Sequence, residues 1–161
     1  MMAEAGAPTR RIDRLLADYD RHHASPVNRV LQCLAVPLIC WAVLAFLASL
    51  PLPVRIVPGL DLAGIAAVLL VIGILVLSRP LAISAAAVVV LLLLIAAAYR
   101  AWGSLPLWQM AIVVLAGGWL LRFIGYAFEA QRPTVARQLL YVPIGLARML
   151  AWIHGLIGVR H

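Results

Sequence analysis

The chain has 161 residues, 65% of them apolar and only 12% charged, with a mean hydropathy of +1.04. A soluble domain is roughly 45–50% apolar and about 25% charged, so a water-soluble monomer and a disordered chain are both excluded. What fits is one all-α unit, an integral membrane helical bundle, with a polar segment at residues 1–29 and a multi-pass membrane domain at residues 30–159.

From the N-terminus, Thr9 is placed to cap an amphipathic helix. Ile12, Leu15, Leu16, Tyr19 and His23 follow one helical stripe, and Arg and Asp fill the other side. Ser25-Pro26 restarts a helix, with Ser at the cap and Pro in the first turn. Val30 to Leu50 carries no charge and as a helix is about 32 Å long, enough to cross a bilayer. The polar stretch before it is too long for a cleavable signal peptide. Asn28 and Gln32 stand at i, i+4 at its mouth, and Pro37, lacking a donor, predicts a kink one turn further on. Cys33 and Cys40, two helical turns apart, are too distant for a disulfide and read as small apolar fillers.

The second run, Leu60 to Ser78, has Asp61 at its mouth. The third is Leu81 to Tyr99, and only Arg79-Pro80 separates the two, which predicts a tight antiparallel hairpin. The fourth, Leu105 to Leu121, begins through Pro106 in its first turn. Beyond it Arg122, Tyr126 and Glu129 share one helical face, and Gly118 and Gly125, seven apart, admit a second helix at close range. Pro133 ends that helix. A fifth apolar run, Leu139 to Val159, has Arg148 in its middle, at a cost of about 2.5–3.5 kcal/mol if it faces lipid. That run crosses with Arg148 turned to the bundle, or re-enters, or lies at the interface. The expected architecture is four transmembrane helices, a C-terminal membrane-embedded or interfacial helix, and an N-terminal amphipathic helix.

All 13 basic residues are Arg, for a formal charge of +7. They flank apolar runs, so they suit anionic lipid headgroups rather than nucleic acid. With the N-terminus inside, nine Arg fall on the inner side and two on the outer. This predicts a cytoplasmic N-terminus, and Arg-only usage leans toward a bacterial inner membrane. Residues 1–29 and 122–138 then share one face of the membrane, where any polar site is built. Its candidates are His23, Asn28, Gln32, Tyr126 and Glu129. Each also has an ordinary explanation: a rim histidine, amides that bond each other, and a carboxylate that pairs with Arg122 or Arg132. No phosphate-cradling glycine loop, nucleophile elbow or zinc-type spacing is present.

Tyr19, His23, Asn28 and Pro37, within Tyr19-Asp20-Arg21-His22-His23 and the stretch to Leu38, resemble the opening motif Tyr-x3-His-x4-Asn-x3-His-then-Pro of a family of small multi-pass membrane proteins. Trp119, Phe123-Ile124-Gly125, Glu129 and Pro133 resemble its second motif. This is the 2-hydroxy fatty acid dioxygenase family, which includes the fungal enzyme of phytosphingosine breakdown and many bacterial relatives of unknown function. The resemblance implies Fe(II), held by motif histidines, and removal of one carbon from a 2-hydroxy fatty acid by O2. Here Gln32 stands at the family's second His and Tyr126 follows Gly125 where the family has Gly-His, which leaves His23 as the one motif histidine for metal. Three functions follow as expectations. One is a lipid-binding relative with a degenerate metal site, whose partner is a membrane lipid or fatty acyl chain. Another is an active Fe(II) dioxygenase of fatty acid α-oxidation. The third, a small transporter, is disfavoured by spans almost free of ionisable groups.

Overall fold

A computed structural model of the chain describes residues 25–51, 61–128, 142 and 144–152. The predicted amphipathic helix before Ser25, with His23, and the segment carrying Glu129 and Pro133 lie outside the described residues.

The described chain is helical. Helix α1 runs Pro26–Ser49, α2 Leu62–Leu77, α3 Arg79–Trp102 and α4 Leu107–Ala127. Residues 144–152 are also helical. The first start falls at the position read from the sequence, although the Ser25 side chain makes no capping hydrogen bond. Ser25 is the extended N-cap of α1 with Pro26 behind it. Asp61 caps α2, its carboxylate accepting from Gly64 N–H at 2.8 Å. The hairpin is tighter than two residues. Ser78 alone, extended, closes α2 through its N–H to Ile74 O at 2.8 Å and opens α3 through its own carbonyl to Ala82 N–H at 3.1 Å. Helix α1 is continuous across Pro37. Helix α4 starts one residue after Pro106, which is its N-cap rather than part of its first turn, and runs on beyond the apolar run through Arg122 and Tyr126 to Ala127.

Three helices, α1, α3 and α4, are long and apolar enough to cross a membrane. Helix α2 has only 16 residues, which rise about 24 Å, so it falls short of the span expected for the second run. Large apolar side chains such as Leu69, Val76, Ile83, Leu94, Val113 and Leu120 point outward. This is the arrangement a lipid-facing surface takes, since lipid tails are as apolar as Leu and give no drive to bury it.

What holds the helices together is small residues on the inner faces. Ala35, Ala42, Ala45, Ala63, Ala67, Ala82, Ala85 and Ala96 are all buried, which lets backbones approach and gain dispersion contacts. Helix α1 is the hub: it packs against each of the other three, most extensively α4. Leu146, Ala147, Leu150 and Ala151 join the same core. At the far end of α1, Arg100 Nη2 donates to Ala48 O, so α1 and α3 finish on the same side. Trp41 and Tyr99 meet there edge to face, 6.3 Å between centroids. Both cysteines are free.

Candidate functional site

The site grows from a polar start to the stripe by which α1 faces α4. Asn28, Gln32, Ala35, Val36 and Ile39 are all buried, at the spacing of one helical face. On α4 the matching residues are Gly118, Arg122, Gly125 and Tyr126. Two glycines set the distance between the helices. A Cβ at Gly118 would stand 2.7 Å from Ile39 Cγ1 and 3.5 Å from Ala35 O. A Cβ at Gly125 would collide with Asn28 Oδ1 and lie 3.6 Å from Gln32 Nε2. Early residues of α1 therefore meet late residues of α4, and the helices are antiparallel. The described ends of the two polar segments, at Asn28 and at Arg122–Tyr126, meet at one end of the α1–α4 pair.

The polar groups there are paired along each helix. Gln32 Nε2 donates to Asn28 Oδ1 at 3.1 Å, and both residues are buried. One turn apart on α4, Arg122 Nη2 donates to the Tyr126 hydroxyl at 2.7 Å. Arg122 is fully buried, with 0% of its surface exposed. Its guanidinium lies 5.6 Å from the Trp119 ring and 5.7 Å from the Tyr126 ring, at i−3 and i+4, so two aromatic faces replace part of its hydration. Trp119 is braced by Phe123 at 5.8 Å. The site thus sets a buried guanidinium beside a phenol on α4 and two buried amides on α1.

Of the predicted residues, Asn28, Gln32 and Tyr126 come together around Gly125, whereas His23 and Glu129 lie outside the described residues. Arg122 is an addition: the sequence set it on the face of Tyr126 and Glu129, and the structure buries it on the α4 face turned to α1. The signal for this is its place between Gly118 and Gly125, on the face that the glycines bring against α1.

Arg148 is the second addition. With Arg29 and Gln32 it lines a cavity of about 440 Å³ between the first turns of α1 and residues 144–152. The middle of the fifth apolar run thus stands at the level of the mouth of α1, with Arg148 half-buried beside it.

Among the described residues no three His, Cys, Asp or Glu side chains are grouped to hold a metal ion. The donors among these described residues do not by themselves make an Fe(II) site. Asn28 Oδ1 is engaged by Gln32, the Tyr126 oxygen accepts from a cation, and that cation repels a second one. Iron oxygenase sites are built instead from imidazole and carboxylate.

No curated protein and no solved structure matches the chain. Residues 9–156 do match a protein family, described as 2-hydroxy-palmitic acid dioxygenase Mpo1-like. That range takes in both motifs and all four helices, and with it the chain belongs to the Mpo1-like family.

Proposed function

We propose that this chain is a lipid-binding Mpo1-like membrane protein whose rim site has exchanged iron ligation for a hydrogen-bonded polar cluster. One observation carries the reading. Gln32 and Tyr126, which stand where the family motifs place histidines, are engaged by Asn28 and by the buried guanidinium of Arg122. A fixed cation with neighbouring amides suits an oxyanion or a hydroxyl, and the apolar outer faces suit its acyl chain. The surplus of Arg on one side supports a cytoplasmic location for this rim, in a bacterial inner membrane.

The test is metal analysis on protein reconstituted anaerobically with Fe(II), beside a binding assay with a radiolabelled 2-hydroxy fatty acid. The wild type is expected to bind the acid without near-stoichiometric iron, and Gln32→His with Tyr126→His to gain iron. Near-stoichiometric iron in the wild type, lost on His23→Ala, would overturn the reading.

The family match over residues 9–156 favours a second reading, an Fe(II) dioxygenase acting on 2-hydroxy fatty acids. It requires O2 uptake matched to loss of one carbon from the acid, and the same iron measurement separates the two.

A further inference from the structure

The cavity of about 440 Å³ beside α1 is walled chiefly by apolar groups, among them Val30, Leu34, Met149 and Trp152, with Cys33 half-buried between them. No residue of α2, α3 or α4 is among its described walls. Val30 is 62% exposed, and Leu34 and Trp152 are each 56% exposed. Arg29 and Arg148 are each already engaged, so what the cavity offers an occupant is apolar surface. Protein interiors keep few voids larger than a water molecule, so a space of this size takes an occupant. Its wall on α1 runs from Pro26 to Leu34 and rises about 12 Å from the first turn. That is close to the depth of about 5–10 Å at which an amphipathic helix beds into the headgroup boundary.

We propose that the occupant is the chain's own N-terminal stretch, residues 9–23, laid across the mouth of α1 with the stripe of Ile12, Leu15, Leu16 and Tyr19 in the cavity. The connection fits. Only Ala24 and Ser25 separate this stretch from Pro26, itself a wall residue. Ser25 is extended, with φ −66° and ψ 130°, as the residue before a proline tends to be, so the stretch leaves the axis of α1 instead of prolonging it. The length fits as well: Ile12 to Tyr19 covers about 10 Å as helix, close to the wall that α1 provides. The charges agree. At 3.6 residues per turn, Asp13 and Asp20 fall on one edge of the stripe, Arg11 and Asp18 on the other, and Arg10, Arg14 and Arg21 on the opposite face. Docked by its stripe, the helix turns those three arginines away from Arg29 and Arg148 and toward the headgroups. The tether gives it an effective concentration of the order of millimolar, ahead of a second copy of the chain. An acyl chain would fill the same wall but leave the stripe to be buried elsewhere.

The experiment uses the full chain with Cys40→Ala, which leaves Cys33 as its one thiol, reconstituted in phosphatidylcholine vesicles. A second cysteine is added by Leu16→Cys, Tyr19→Cys, Arg14→Cys or Arg21→Cys, and the protein is oxidised with copper phenanthroline. The two stripe positions are expected to form a disulfide with Cys33 within one chain, and the two arginine positions are not. As a second measurement, the rate at which N-ethylmaleimide labels Cys33 is expected to rise about tenfold when Leu15→Ser and Leu16→Ser remove two apolar anchors; both substitutions leave α1–α4 untouched. Cross-linking that does not distinguish the two faces, or none from any position, would overturn the proposal. Disulfides between chains instead of within one would assign the cavity to a second copy and overturn it too. So would a Cys33 labelling rate indifferent to the two serines, the result expected if a lipid chain is the occupant.

Discussion

Asn28 and Gly125 meet across the α1–α4 seam so closely that a single methyl group on Gly125 would occupy the place of the Asn28 side-chain oxygen. This contact joins the start of α1 to the end of α4 and sets how closely the two helices approach there.

The first prediction concerns that seam. Gly125→Ala is expected to destabilise the protein by about 1–3 kcal/mol through overpacking, although alanine is the better helix former by up to about 1 kcal/mol. Gly118→Ala is expected to cost less, because the atom it meets first is the movable Cγ1 of Ile39. Gly73 and Gly117 have nothing within 4 Å of an added Cβ, so their alanine variants are expected to be neutral or stabilising. Thermal unfolding in one detergent ranks all four; a Gly125→Ala protein as stable as Gly117→Ala would refute the close approach.

The second concerns the buried cation. Tyr126→Phe removes the hydroxyl that accepts from Arg122 and keeps the ring beside the guanidinium. A hydrogen bond to a charged group contributes about 1.5–3 kcal/mol, and a loss of that order is expected. Arg122→Met, of similar length and without charge, is expected to be milder than Arg122→Ala, which also opens a cavity in the seam. Urea or thermal denaturation of the three variants gives the order.

The third concerns the start of α2. Asp61→Ala is expected to cost about 1 kcal/mol by removing the cap on Gly64 N–H, whereas Asp61→Asn, still a good cap, is expected to cost little. Equal losses in the two variants would assign the effect to charge rather than to capping.

The fourth concerns topology. Helices α1 and α3 end on the same side, and the Ser78 link folds α2 back along α3. Single cysteines at positions 29 and 79 are therefore expected to react with an impermeant maleimide from one side of the membrane, and a cysteine at position 100 from the other. Labelling of positions 29 and 79 from opposite sides would be incompatible with this arrangement.

What could be read from the sequence was whatever depends on neighbours along the chain. The pairs Asn28–Gln32 and Arg122–Tyr126 are one helical turn apart, and each forms the bond that its spacing allows. Gly118 and Gly125 marked the close face of α4, and Arg79-Pro80 marked the reversal between α2 and α3. Less legible were features set by docking between distant segments. Arg122 sits inside the seam because α1 covers it, and nothing adjacent in sequence says so. Arg148 looked central to an apolar run, yet its level is fixed by how residues 144–152 settle against the start of α1. The second run lost residues at both ends, where Asp61 became a cap and Ser78 a corner.

The closing of α1 on α4 also has a consequence for how the chain is made. Ribosomes deliver about 5–20 residues each second, so α1 waits on the order of ten seconds before the Arg122 region is made. During that interval α2 and α3 can cover its alanine face, but the stripe bearing Asn28 and Gln32 has no α4 to meet. A nascent protein halted at Gly103 displays two amides to its surroundings, and the arrival of α4 is the event that hides them.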